Sequence, residues 1–229
     1  MIIYLDAGHG GKDNGAVANG LKEKDITLAL AKKVRNHLEE DYSNIIVKMT
    51  RNKDTYVALS KRAELANKEN ADYFLSIHVN AGSGTGYEDY IYNQLSSGSA
   101  TDNARTELHQ AILPVLKKYK IKDRGKKKAD YAVLRETKMR AVLVETLFID
   151  TLNDAKHLKD HTFLDDLAYV YAKGVASIAG AKRKTETKSK TPAYATYSVQ
   201  IGAFQDWGNA ELLVKKAEKA GFKPFIKTN

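Results

Sequence analysis

Ile2-Ile3-Tyr4-Leu5-Asp6-Ala7-Gly8-His9-Gly10-Gly11 is the stretch whose reading decides the fold. A short apolar run that breaks off in Gly-His-Gly-Gly reads as a buried strand delivering one imidazole to the carboxyl edge of a sheet, where ligand sites of open α/β sheets gather. The flanking glycines let the backbone turn sharply and keep the ring accessible. Tyr73-Phe74-Leu75-Ser76-Ile77-His78-Val79-Asn80 repeats the design and is followed by Ala81-Gly82-Ser83-Gly84. One such His is most simply a polar residue at a strand end, but two at two strand ends suggest a shared metal ion. A catalytic zinc wants three protein ligands and an open fourth position, and two His with one Glu is a standard set.

The nearest carboxylate in sequence lies in Gly20-Leu21-Lys22-Glu23-Lys24-Asp25-Ile26-Thr27-Leu28. Ile26, Ala29, Leu30, Val34 and Leu38 recur at helical spacing, with Asp25 expected as the N-cap, so Glu23 is expected just before the helix and facing the sheet edge. Strand-like segments at 44–50, 73–80 and 86–93 alternate with a helical pattern around Leu59, Arg62, Ala63 and Ala66, which argues for a mainly parallel α/β sheet flanked by helices.

Asp-x-Gly-His-Gly-Gly, then Glu-Lys-Asp-Ile-Thr-Leu, then Ser-Ile-His-Val-Asn together resemble the zinc-dependent N-acetylmuramoyl-L-alanine amidases that cleave bacterial peptidoglycan. The resemblance covers about residues 2–179. It implies one Zn²⁺ per chain held by His9, Glu23 and His78, and a catalytic Glu after an apolar strand. Ala141-Val142-Leu143-Val144-Glu145 fits that last description. By itself a carboxylate there could equally reach solvent, contact a cation or accept hydrogen bonds, since burying it without a partner is costly; the resemblance selects Glu145 as the acid/base. Asp6 is open to two readings, orienting an imidazole or capping a turn. The chain departs from its relatives at Ala7 and Arg140, where proline is common, and in Thr146-Leu147-Phe148, where Glu-x-Gly-Phe is usual.

Composition bounds the rest. The 229 residues contain no cysteine, which removes disulfides, thiol catalysis and thiolate metal sites. Every apolar run is too short to span a membrane. The net charge is +9; residues 1–180 hold 27 Lys and Arg against 24 Asp and Glu, and residues 181–229 hold ten against four, so the last 49 residues carry +6 of it. No recognition helix or RNA-binding motif accompanies this charge, so nucleic acid is not the expected partner and anionic wall polymers beside peptidoglycan are. No charged segment and long apolar run precede Ile2. With the resemblance, this gives the expectation of a protein made without a signal peptide in the cytoplasm of a phage-infected or sporulating cell and acting on the wall after release.

Along the middle of the chain, residues 100–119 read as a helix that Pro114 kinks or interrupts, and Lys126-Lys127-Lys128 reads as a solvated loop. The tyrosines of Tyr87-Glu88-Asp89-Tyr90-Ile91-Tyr92 suit either core filling or glycan stacking. His157 and His161 are a rival i, i+4 pair without the Glu of His-Glu-x-x-His. His37 and His109 read as surface residues of amphipathic helices.

Residues 1–180 are expected to form the catalytic domain and 181–195 a basic linker with almost no apolar residue. Residues 196–229 read as a small β-α-β unit, with Tyr197–Phe204, a helix through Ala210, Leu213, Val214 and Ala217, and Gly221–Ile226. This unit resembles half of a sporulation-related peptidoglycan-binding repeat. A half so small is marginal alone, which leaves a monomeric catalytic domain open to dimerising through it. The rivals to an amidase are a non-catalytic wall-binding protein and a zinc peptidase acting on the stem peptide.

Overall fold

The computed structural model describes residues 1–184, 202–221, 224 and 226, and divides into Met1–Lys184 and Thr185–Asn229. In the first unit the chain runs β1 (Ile2–Ala7), β2 (Val17–Ala18), β3 (Leu21–Lys22), α1 (Glu23–Asp41), β4 (Tyr42–Ser43), β5 (Ile46–Met49), α2 (Leu59–Lys68) and β6 (Tyr73–Asn80). It continues through β7 (Tyr87–Tyr92), α3 (Ala100–Lys118), β8 (Asp123–Ala129), α4 (Ala132–Arg135), β9 (Arg140–Phe148), α5 (Leu152–Lys159), α6 (His161–Ile178) and β10 (Lys182–Arg183).

Six strands form one sheet in the order β5-β1-β6-β9-β7-β8, parallel throughout except where β7 meets β9. This is the mainly parallel mixed sheet that the alternation predicts. From β1 the chain passes through α1 to β5 on one side and then through α2 to β6 on the other, so the strand order reverses at β1. A crevice at such a reversal is where open α/β sheets bind ligands.

Period-two alternation divides the strands between two cores. Ile3, Leu5, Ala7, Leu75, Ile77, Val142, Val144, Tyr87 and Ile91 pack beneath α1, α3 and α6 in the larger one. Tyr4, Phe74, Ala141 and Leu143 face the other way, with Val133 and Leu134 of α4 and Ala66 of α2. Two short helices cover that second face incompletely. His78 follows Phe74 by four residues and Glu145 follows Leu143 by two, so both project on the thinly covered side.

Several expectations change. Lys22 is the N-cap of α1, so Glu23 is its first residue and Asp25 lies in its first turn, where a carboxylate complements the positive helix end. Pro114 lies inside an unbroken α3. The 126–128 lysines belong to β8, not to a loop. Lys182 and Arg183 pair with Ser43 and Tyr42, so the first residues of the expected linker extend the first unit. His109 is buried, 4% exposed, because Asp89 and Asp123 pair with its two ring nitrogens. Leu147 takes φ 64°, the left-handed region that glycine enters without strain.

The second unit contains α7 (Trp207–Lys219), capped by Asp206, where the helix of the expected β-α-β unit falls. Gly202–Phe204 is not a strand; Tyr197–Ile201 and most of Phe222–Ile226 lie outside the described residues.

Candidate active site

His9 stands two residues past the end of β1 at φ 60°, an uncommon but tolerated conformation for His, and the chain then turns through Gly10 and Gly11. Three buried cations and an acid fix this turn. Arg62 donates to Asp6 Oδ1 (2.8 Å), to Ala7 O (2.7 Å) and to His9 O (2.8 Å), while Arg51 donates to Ala7 O and Gly8 O (2.9 and 2.8 Å). Lys24 reaches Gly11 O at 2.8 Å. Asp6 also accepts from Thr50 and Ser76, both at 2.7 Å. Asp6 is thus the hub that anchors Arg62, and it hydrogen-bonds no imidazole.

At the start of α1, the Glu23 carboxylate stands between the two imidazoles. His9 Nε2 is 3.1 Å from Oε2 and His78 Nδ1 is 3.0 Å from Oε1. The backbone N–H groups of Ala16 and Val79 donate to the same two oxygens at 2.9 and 3.0 Å. Burial opposes ionisation of Glu23, but the imidazoles outweigh it and hold the carboxyl well below the usual range. One ligand atom from each of His9, Glu23 and His78 lies within 4.8 Å of the others, the one such group among the described residues.

Two glycines make this approach close. A Cβ on Gly8 would stand 2.5 Å from His78 Cε1, and one on Gly15 would stand 2.5 Å from Glu23 Oε2 and 2.7 Å from His9 Cδ2. Asp13, which sequence reading passed over, orients His9 through a 2.9 Å contact to Nδ1 and leaves Nε2 for the centre. Its signal was its place four residues after His9 in a glycine-rich loop.

Glu145 faces His78 across the β6–β9 pair. Its Oε2 is sealed from solvent with no hydrogen-bond partner. Burial, with the like charges of Glu23 and Glu88 and against the pull of His78, pushes its carboxyl up to about 7. An orphaned carboxyl with a raised pKa beside a converged His-Glu-His set fits a site that holds a cation and moves a proton. The rival pair is dispersed. His157 lies in the last turn of α5 among the rings of Tyr119 and Phe163, Asp160 breaks the helix, and His161 starts α6. Tyr87 is core, and Tyr90 is half-buried with its hydroxyl on Glu88.

A family model described as N-acetylmuramoyl-L-alanine amidase matches residues 3–177. An endolysin of Bacillus phage SPP1 is 49% identical over 80% of this chain and 68% of its own length. The sporulation-specific N-acetylmuramoyl-L-alanine amidase of Bacillus subtilis (strain 168) is 41% identical over 98% of this chain and 83% of its own. Among solved structures, the catalytic domain of the N-acetylmuramoyl-L-alanine amidase CwlV from Bacillus (Paenibacillus) polymyxa var. colistinus superposes with a TM-score of 0.73 at 31% identity, covering 79% of this chain and 99% of that one. No helix of the described residues is long and apolar enough to cross a membrane.

Proposed function

The chain belongs to the N-acetylmuramoyl-L-alanine amidase family, and from that premise we propose that it cuts the muramoyl–L-alanine amide of peptidoglycan with one zinc ion held by His9, Glu23 and His78 and with Glu145 as the proton carrier. The observation that carries this reading is the convergence of those three side chains to within 4.8 Å. Only nitrogen and oxygen donors are present, a set that zinc accepts in hydrolases.

Bound there, zinc supplies a Lewis acid for the substrate carbonyl and lowers the pKa of a water to about 7. The protein's own groups do the remaining work. Asp13 fixes the ring of His9, and the Ala16 and Val79 amides fix the Glu23 carboxylate, so the donor set is formed in advance. Glu145 takes a proton from the attacking water and returns it to the nitrogen of L-alanine as the amide breaks. A carboxyl poised near neutrality is suited to both transfers.

The basic tail is read as a wall-binding module of the sporulation-related type, which would hold the enzyme on peptidoglycan and its anionic polymers. The phage and the sporulation settings of the two relatives are both compatible with this chain. Elemental analysis of purified protein should find about one zinc per chain, with activity lost on chelation and restored by zinc. Mass spectrometry of digested walls should find new L-alanine amino termini and intact sugar chains. Cleavage inside the stem peptide would overturn the reading in favour of a peptidase.

A further inference from the structure

His78, Glu145 and Glu88 occupy one row across three neighbouring strands. His78 faces Glu145 in the β6–β9 register, and Glu145 faces Glu88 in the antiparallel β7–β9 pair. Residues directly opposite in a sheet project from the same face. The row therefore starts at the ligand group, passes through the proton carrier and ends at Glu88.

Glu88 is buried, yet its charge is more than matched. Its Oε2 accepts from Arg124 Nε at 2.6 Å and from Lys127 Nζ, and its Oε1 accepts from the Tyr90 hydroxyl at 2.7 Å and Asn80 Nδ2 at 2.8 Å. Burial works against the carboxylate, but these donors bring its carboxyl down to about 2. Among these three groups one anion faces two cations, and the Glu145 carboxyl stands opposite. Neither cation is sealed in: the Arg124 side chain is 28% exposed and that of Lys127 34%. The Arg124 guanidinium lies 4.9 Å from the Phe148 ring centroid, and Lys127 Nζ lies 5.8 Å from that of Tyr90. Held in this way, both side chains keep N–H donors that Glu88 does not use.

We propose that Arg124 and Lys127 form an anion subsite for the leaving peptide, taking a free α-carboxylate on the residue that follows L-alanine where that residue is acidic. The proposal rests on the role of Glu145 given above. With the metal at His78 and the scissile nitrogen at Glu145, the row continues away from the metal toward Glu88, and the proposal places the leaving peptide along it. The next groups along the row are those around Glu88. The distances match in scale: neighbouring strands are about 4.8 Å apart, and two residues of extended chain reach about 7 Å. When the second stem residue is joined through its γ-carboxyl, its α-carboxylate is left free or amidated, and only the free form carries the charge that Arg124 and Lys127 complement. Amidation of that carboxyl thereby becomes a determinant of wall specificity.

The test compares two disaccharide-tripeptides that differ only in a free or an amidated α-carboxylate on the second residue. The zinc-loaded enzyme should prefer the free acid by about tenfold in kcat/KM, mainly through KM, as expected for charge-assisted hydrogen bonds at a partly exposed site. The preference should shrink in high salt. Arg124→Met with Lys127→Met should bring the ratio to about one. Should that double variant fail to fold, Glu88→Gln, which keeps the Tyr90 and Asn80 contacts, frees the cations and should raise the ratio. Equal cleavage of both compounds by the wild type, or a preference that neither variant changes, overturns the subsite and leaves the amidase reading standing. If neither compound is cut at the muramoyl–alanine bond, the subsite falls together with that reading.

Discussion

Alanine in place of Gly8 tests the site through a residue that makes no polar side-chain contact. The added methyl would lie 2.5, 2.7 and 2.8 Å from Cε1, Nδ1 and Nε2 of His78. Carbon contacts settle at about 3.5–4.0 Å, so the ring must withdraw by about 1 Å. The Gly8 backbone cannot yield in its place, because its N–H donates to Ile77 O at 3.0 Å and its carbonyl accepts from Thr27 and Arg51, both at 2.8 Å. Zinc–nitrogen bonds are about 2.0–2.1 Å and tolerate a displacement of only about 0.2 Å. With His78 as the proposed ligand, a withdrawal of about 1 Å would take it out of the coordination sphere or strain it there. Zinc affinity should fall at least as far as for loss of a ligand's supporting contact, about 10–100-fold, and turnover at saturating zinc by about 10²-fold. Competition with a chromophoric chelator reads the affinity, and dye release from labelled walls reads the rate. Thermal melting of the metal-free variant separates a displaced ring from a lost fold. Unchanged zinc affinity in a folded Gly8→Ala protein would refute the packing of Gly8 against a ligand.

Glu145→Gln should retain its zinc and lose about 10²–10⁴ in turnover, the usual contribution of a proton carrier; near-normal turnover removes Glu145 from the mechanism. Burial favours neutral His109, but Asp89 and Asp123 outweigh it and raise its pKa above 6.5. The stabilisation this brings is whole below pH 6.5 and is lost as pH rises through the raised folded value. Denaturant melts at pH 6 and pH 8.5 should thus show a larger loss for wild type than for His109→Gln, and equal losses would place the proton elsewhere. Deleting residues 185–229 should spare hydrolysis of soluble muropeptides and weaken wall binding, with the difference shrinking in salt; a truncated form that binds walls as tightly as the full chain would sink the binding-module reading.

How much of this was legible in the sequence depends on the range of the interaction involved. His9 and His78 announce themselves locally, each as a lone imidazole ending an apolar run beside glycine. The mainly parallel sheet follows from alternation alone, which is also a local property. Position within an element is less visible. Asp25 has the chemistry of an N-cap, yet α1 begins two residues earlier, because the Glu23 carboxylate is drawn to two imidazoles and two backbone amides and carries the helix start with it. His109 has polar sequence neighbours and looked exposed, but its partner Asp89 arrives from a strand twenty residues earlier.

The row from His78 through Glu145 to Glu88 is the part that no local pattern could give. It exists because β9 lies between β6 and β7, although 47 residues separate β7 from the start of β9. The antiparallel β7–β9 pair then sets Glu88 opposite Glu145, and the parallel β7–β8 pair brings Lys127 beside it. Read in isolation, Lys126-Lys127-Lys128 is a solvated charge run. Placed in β8, its alternation sends Lys127 toward Glu88 and lets Lys126 and Lys128 bond elsewhere, to Thr106 and the Leu95 carbonyl. A one-residue slip in that register would exchange their faces. The same slip would put another lysine where Lys127 stands but Asp123 or Gly125 where Arg124 stands, leaving Glu88 buried without one of its two cations at a cost of several kcal/mol. The Glu88 cluster therefore pins the edge of the sheet, and in doing so it holds the two cations beside Glu88, where the proposed subsite needs them.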